Sequence, residues 1–351
     1  KLEYEFTTGE NQYNTVVAFI TESICDECYI DDVYVYAEGS DENLILNSGF
    51  ELTQEDTGDM VIDYNGFMGD YVRRLEKAQK NNIKVGINLS PHYFPTYITT
   101  TYEGTSANTP GTIRFRVDHE KTREIVEKHI RAIFDTIEGI ECIVDVCLSN
   151  EVCYSANSDD YNAPLWEAFL IETYNNDINA LNEAYGTEYT SFSEVKMPSK
   201  KETTVLNYDY AKFNNTFLTE WHRWMTDIVH ELRPDLPVHT KLMSDMQGNH
   251  DDHSRGFYNY GYSWEDHAQF FDVIGFDGGS AYKPGEFLVN QFIGSSPITQ
   301  WFKIDFITSI KNVPWINSET HIDTDNNYDF NLDKADHVGR YMWQEGIHGV
   351  G

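Results

Sequence analysis

Hydrophobic residues recur along this chain in two alternating rhythms. Runs of consecutive apolar residues, the mark of strands buried on both faces, occur at 83–89, 142–149, 237–243, 271–277 and 313–318. Between them the apolar positions fall at helical spacing. Asp70 to Lys80 is one such stretch, and 120–138 is another, with Ile125, Val126, His129, Ile130 and Ile133 on one stripe. Residues 164–183, 208–233 (stopped at Arg233-Pro234), 301–310 and a segment from about Leu332 follow the same rule. Strands alternating with helices predict a parallel sheet with crossover helices. The expected fold class is therefore α/β, a (β/α)8 TIM-barrel-type domain over 57–351. Five such strands follow residue 80, where a closed barrel has eight. The first two and the last are not evident, since about 20 residues between Glu51 and Asp70 are too few for two βα units. The chain reads as a fragment whose closing Gly346-Ile-His-Gly-Val-Gly351 approaches another strand.

Residues 1–52 have a different texture. Thr15-Val-Val-Ala-Phe-Ile-Thr21 and Tyr29-Ile-Asp-Asp-Val-Tyr-Val-Tyr36 are short, β-branched and aromatic-rich, the pattern of a small β-sandwich-like segment.

Charge narrows the partners. Fifty-eight acidic against 25 basic residues give a net charge of -33, which opposes a phosphate backbone and excludes nucleic acid as a partner. A neutral carbohydrate is compatible with it. No run approaches the roughly 18 apolar residues of a membrane span, so no membrane partner is expected, and the sequence leaves oligomeric state open. Aromatic residues make up 14% of the chain, a supply of flat faces for stacking sugar rings beyond those the core needs. No signal peptide is visible in Lys1-Leu-Glu-Tyr-Glu5; an extracellular or periplasmic location is nonetheless the expectation.

Cysteine and acidic clusters do not build a metal site. Cys25 and Cys28 form a lone C-x-x-C without a second pair, Cys142 and Cys147 fall in a buried strand, and Cys153 stands near a candidate site but alone. Asp323 to Asp329 lacks the glycine and the final carboxylate of an EF-hand. Asn249-His-Asp-Asp-His253 reads as a solvated loop, and His239, His250, His253 and His267 are scattered. Neither a metal nor a cofactor is expected.

Two glutamates carry the candidate chemistry. Glu151 follows Asn150 at the end of one apolar run, and Glu319 ends another. The C-terminal ends of parallel strands are where α/β barrels keep their reactive groups, and two carboxylates flanking a bond are the minimum equipment for glycoside hydrolysis. A strand-end glutamate also commonly caps the following helix, so each has a structural alternative. Ser90-Pro-His-Tyr-Phe-Pro95 leaves the first strand toward the same face and offers His92 and Tyr93 to a sugar. Asp277, after its strand, and Tyr282 are placed beside the pocket, with Trp264, Trp301, His321 and Trp343 as weaker substrate-binding candidates. Trp221 and Trp224, at helical spacing, read as core.

Together these residues resemble glycoside hydrolase clan A, most closely family 42-type β-galactosidases, over roughly three-quarters of the chain. Cys147-Leu-Ser-Asn-Glu151 resembles the family's fourth-strand "S/D-N-E". Trp166 to Asn175 and Ala180-Leu-Asn-Glu-Ala-Tyr-Gly-Thr187 resemble its "F-x-x-W-L-x-x-x-Y" and "L-N-x-A-W-G-T" segments, the latter being the most specific match. Phe271 to Asp277 resembles the sixth strand and Asn317-Ser-Glu319 the seventh. The cysteine cluster that family members often carry for zinc is reduced to Cys153. The resemblance implies a retaining β-glycosidase, with Glu319 as nucleophile, Glu151 as general acid/base kept protonated by apolar walls or by the nearby negative charge of Glu319, and Asn150 bonding the sugar 2-hydroxyl. The N-terminal segment resembles part of a family 4/9-type carbohydrate-binding jelly roll, through its "I-D-D-V-x-V" strand and Asn43-Leu-Ile-Leu-Asn-Ser-Gly-Phe-Glu51. The competing expectation is a non-catalytic carbohydrate-binding protein derived from such an enzyme.

Overall fold

The computed structural model describes residues 67–106, 112–199, 202–243, 260–281, 305–306 and 308–323, with a few positions between 339 and 349. The β-rich segment 1–52 and the Cys25/Cys28 pair lie outside the described residues.

Helix α1 (Phe67–Lys80) leads into strand β1 (Val85–Asn88), and α2 (Thr96–Thr101) and α3 (Glu120–Thr136) precede β2 (Ile143–Asn150). Helices α4 (Ala163–Thr173), α5 (Ile178–Tyr185) and α6 (Val205–Leu232) precede β3 (Val238–Met243). The short α7 (Trp264–Ala268) precedes β4 (Ile274–Ala281), and β5 (Trp315–Asp323) closes the described sheet. All strand pairs are parallel and their order follows the chain, β1-β2-β3-β4-β5. Sequential order matters physically. Crossovers between parallel strands are right-handed, so an order that never reverses sends every connection over one face of the sheet. That is an arc of a (β/α) barrel and not a doubly wound sheet, whose order reverses.

The core lies between sheet and helices. Helix α6 crosses behind β2 and β3 and buries Phe213, Phe217, Leu218, Trp221, Met225, Ile228 and Val229, spaced three or four apart. Trp221 is fully buried, as its spacing predicts. Helix α3 contributes Ile125, Val126, Ile130 and Ile133, matching the expected stripe except that His129 is only partly enclosed.

Several expected boundaries are corrected. The single helix expected over 164–183 is two, because Asn175 and Asn176 take φ of 50° and 59°, the left-handed region that stops a helix and that Asn tolerates better than most residues. Helix α6 starts at Val205 rather than 208, since the Thr204 side chain accepts the Asn207 backbone N–H as an N-cap. Strands β4 and β5 run past the expected ends at 277 and 318 to Ala281 and Asp323, held by pairing that continues from Asp277↔Glu319 to Ala281↔Asp323. Glu319 therefore lies within a strand and not at its end.

The most family-specific stretch of sequence, Ala180 to Thr187, turns out to be a tether. Asn182 accepts from the Thr187 hydroxyl at 2.9 Å and the Tyr189 N–H at 2.8 Å, and donates to the Tyr189 carbonyl at 2.9 Å. Gly186 ends α5 with φ 68°. Tyr185 and Tyr174 both donate to Asp209 Oδ2, at 2.8 and 2.6 Å, tying α5 and the end of α4 to α6. Asp209 is buried, so its loss strands two phenols. Replacing Asp209 by Ala is expected to cost about 2–3 kcal/mol in urea unfolding, and Asp209→Asn, which keeps an acceptor, clearly less. Equal stability of wild type and Asp209→Ala would show that the tether carries no load.

Candidate active site

Parallel pairing brings three side chains to one spot at the C-terminal end of the sheet. Asn150 at the end of β2 pairs in register with Lys241 on β3, and Lys241 in turn with Gly275 on β4. Lys241 is 1% exposed. Its Nζ donates to Glu151 Oε1 at 3.3 Å and, more closely, to Glu319 Oε2. Both glutamate side chains are 39% exposed, open to solvent on one side and to the lysine on the other. The backbone joins in, because the Glu151 N–H donates to the Lys241 carbonyl at 3.1 Å. Glu151 itself takes φ 47°, a left-handed conformation that costs a non-glycine residue energy. A kinked backbone at the strand end turns its side chain toward the lysine instead of continuing the strand.

Beneath this group lies a second ion pair, His239 Nε2 to Asp145 Oδ1 at 3.0 Å. Burial works against charge on His239, but the hydrogen-bonded carboxylate of Asp145, with Cys147 nearby, prevails and lifts its pKa to about 9. Glycine makes the space: a Cβ on Gly86 would collide with the Asp145 carboxylate, and one on Gly275 with His239 Nδ1.

Behind β2 a buried chain of hydrogen bonds runs outward. Ser149 Oγ meets His222 Nε2 at 3.0 Å, His222 Nδ1 meets His267 Nε2 at 2.9 Å, and His267 Nδ1 meets the Ser263 carbonyl at 2.9 Å. A carbonyl only accepts, so His267 Nδ1 carries the proton and, in the neutral ring, Nε2 accepts. His222 must then donate from Nδ1 and accept at Nε2 from the Ser149 hydroxyl. Each donor and acceptor has one assignment. Burial, reinforced by the other rings, holds His222 well below the ordinary histidine value, and burial lowers His267 to about 4. Both are neutral near pH 7. Ser149 is buried, so this serine–histidine–histidine series orients the strand and does not present a nucleophile.

His92 stands at the edge of the same group. Burial lowers its pKa, opposed by the charge of Glu151, and its Nε2 is buried without a partner among the described residues. Tyr93 beside it is 69% exposed, with the two rings edge to face at 6.2 Å. Asp277 on β4 pairs in register with Glu319, and His321 lies two residues further along β5. Trp264 is corrected: it is 8% exposed and packs edge-on against Tyr262 in the core, at the first position of α7 after its Ser263 cap. Trp343 is 75% exposed on the C-terminal segment. Tyr282 and Trp301 lie outside the described residues. Cys142 and Cys147 are buried free thiols, and Cys153 accepts the Thr112 N–H at 3.1 Å. Among the described residues no group of three or more side chains is placed to hold a metal ion, and no helix is long and apolar enough to cross a membrane.

The family model for β-galactosidases of glycoside hydrolase family 42 matches residues 89–350. The chain belongs to glycoside hydrolase family 42. A curated relative, β-galactosidase Pbg of Clostridium perfringens, is 34% identical over 82 residues, 21% of this chain and 12% of that protein. Solved structures agree in fold. A catalytic mutant of the family 42 β-galactosidase Gan42B from G. stearothermophilus matches with TM-score 0.63 and 18% identity, over 83% of this chain and 42% of that one. The exo-carrageenase of the same family from Bacteroides ovatus matches with TM-score 0.60 and 18% identity, over 79% and 40%. The β-galactosidase from Bacillus circulans sp. alkalophilus gives 0.61 and 20%, over 85% and 43%. The chain thus spans about two-fifths of the length of these solved proteins.

Sequence reasoning missed Lys241, Asp145–His239 and the Ser149 series. One signal was available: ionisable side chains inside a predicted buried strand, such as His239 and Lys241, are rare without partners.

Two stability predictions follow from this geometry. Glu151→Gly is expected to exceed Glu151→Ala in stability, by about 1 kcal/mol, because only glycine takes φ 47° without strain. Equal melting temperatures would refute the strain. The histidines give opposite pH limbs. His222 and His267 bind fewer protons folded than unfolded, so stability falls as pH drops from about 6.5 toward 4. His239 binds more, so its contribution is present below about 6.5 and is lost as pH rises toward 9. Thermal melts of His239→Gln across pH are expected to flatten the alkaline limb and leave the acid limb in place; an unchanged alkaline limb would exclude the ion pair as its source.

Proposed function

We propose that this family 42 chain is a retaining β-glycosidase, β-galactosidase-like, that hydrolyses oligo- or polysaccharides by double displacement. One observation carries the reading: Glu151 and Glu319 share a single ammonium nitrogen. Two oxygens bonded to one nitrogen are separated by at most about 6 Å. Retaining pairs stand roughly 5–5.5 Å apart, whereas an inverting pair needs roughly 6.5–9.5 Å to admit water between sugar and base.

In this mechanism a Glu319 carboxylate oxygen attacks the anomeric carbon while Glu151 gives its proton to the departing glycosidic oxygen. The sugar is left as an ester of Glu319. Glu151, now a carboxylate, takes a proton from water, whose oxygen displaces Glu319 and restores the original anomeric configuration. Asn150, partly exposed next to Glu151, is suited to the 2-hydroxyl. His92 Nε2, buried without a protein partner among the described residues, is suited to a further hydroxyl, with Tyr93 as an exposed stacking face. Asp277, paired with Glu319 from β4, and His321, two residues along β5, are proposed as further sugar contacts. The named neighbours include β-galactosidases and an exo-carrageenase, so galactosides are the first substrates to try. Residues 1–52 are proposed as a carbohydrate-binding segment.

The test is turnover of a panel of aryl β-glycosides by wild type, Glu151→Ala and Glu319→Ala, with azide as external nucleophile. The expected outcome is loss of activity on the order of 1,000-fold or more in Glu319→Ala, rescue of that variant to an α-glycosyl azide, and rescue of Glu151→Ala to a β-glycosyl azide. A folded wild type inactive on every glycoside would sink the enzymatic reading in favour of sugar binding alone.

A further inference from the structure

A buried ammonium group touching both carboxylates has no place in the two-glutamate scheme as just given. We infer that Lys241 is the fixed counter-ion of the reaction, balancing one negative charge that moves from Glu319 to Glu151 and back; this rests on the retaining reading above.

The charge count supports it. With sugar bound, Glu151 carries a proton and Glu319 is a carboxylate, so the pair bears one negative charge. After attack, Glu319 is a neutral ester and Glu151, having given its proton to the leaving oxygen, is the carboxylate. The pair again bears one negative charge, now on the other residue. Hydrolysis reverses the exchange. Lys241 reaches Glu319 Oε2 and Glu151 Oε1 from one position, so either carboxylate meets the same ammonium without movement of the chain. A cation buried this deeply is tolerated only while paired, and in both states it is paired once. Serving only the nucleophile would leave the lysine uncompensated in the ester; serving only the acid/base would leave it so in the sugar complex. The backbone bond from the Glu151 N–H to the Lys241 carbonyl survives any side-chain change, so substitutions at 241 probe charge and not the anchoring of the strand end.

Lys241 is thus a positioning residue, and its test separates the two chemical steps. Wild type, Lys241→Met and Lys241→Arg are compared on a 2,4-dinitrophenyl β-galactoside, whose good leaving group makes ester hydrolysis limiting, and on a phenyl β-galactoside, for which ester formation is limiting. Lys241→Met is expected to lower kcat on both substrates by roughly 100-fold or more, with KM changed less than about threefold. Lys241→Arg, which keeps the charge, is expected to recover part of the loss on both. Circular dichroism confirms folding, and Lys241→Gln replaces Lys241→Met if the latter does not fold. Loss on one substrate alone, a change confined to KM, or near-wild-type kcat in Lys241→Met would each overturn the shared counter-ion while leaving the glycosidase reading intact. A wild type inactive on every glycoside overturns both.

Discussion

A lysine ammonium buried in a sheet must find negative charge, and this requirement shapes the described site. Lys241 points from the middle strand of five. It can meet Glu151 only because β2 ends beside it and the backbone turns at φ 47°. It can meet Glu319 only because β5 continues beside β4 and carries that residue within the sheet. Below it the same problem is solved once more by Asp145 and His239, with glycines on β1 and β4 leaving room for the pair. The inner face of this barrel arc is therefore held together by paired charges, while the outer face is closed by the aromatic and aliphatic contacts of α6. The division explains how a strand can carry two ionisable residues and still read as buried.

The sequence made the larger architecture legible. Each of the five strands and the longer helices α1, α3, α4, α5 and α6 announce themselves by apolar run or by stripe, because burial against a neighbouring layer is a local property of residue type; the short α2 and α7 do not. Ends were harder. Asn175-Asn176 divides a stretch that is helical by composition, and only backbone conformation reveals it. The continuation of β4 and β5 depends on their pairing with each other, a long-range fact. In the site, the pairing of Glu151 with Glu319 was anticipated from strand position, while the lysine between them was not. A hydropathy pattern records that Lys241 interrupts an apolar run but not which charges lie across the sheet. Trp264 erred in the other direction: it packs against Tyr262 in the core, a tertiary contact that residue type alone does not reveal.

Part of the family likeness of this chain lies away from its candidate site. The stretch most diagnostic of family 42, Ala180 to Thr187, contains no group aimed at the strand ends; Asn182 fastens the turn after α5, and Tyr185 shares Asp209 with Tyr174. The polar atoms of this segment serve the scaffold, fastening its own turn and tying it to α6. The segment says little about which sugar is held, and neighbours of the same fold carry the names of a β-galactosidase and an exo-carrageenase. Fold and substrate are set by separate residues.

The Ser149–His222–His267 series has a consequence for protons. Its hydrogen bonds all point one way, from the serine hydroxyl outward to the Ser263 carbonyl, and every ring nitrogen is engaged. A proton entering at one end has nowhere to leave at the other, since a backbone carbonyl does not pass it on. The series behaves as an insulator behind β2. In the proposed reaction, protons that reach or leave Glu151 would then travel through its solvent-exposed side and not through β2.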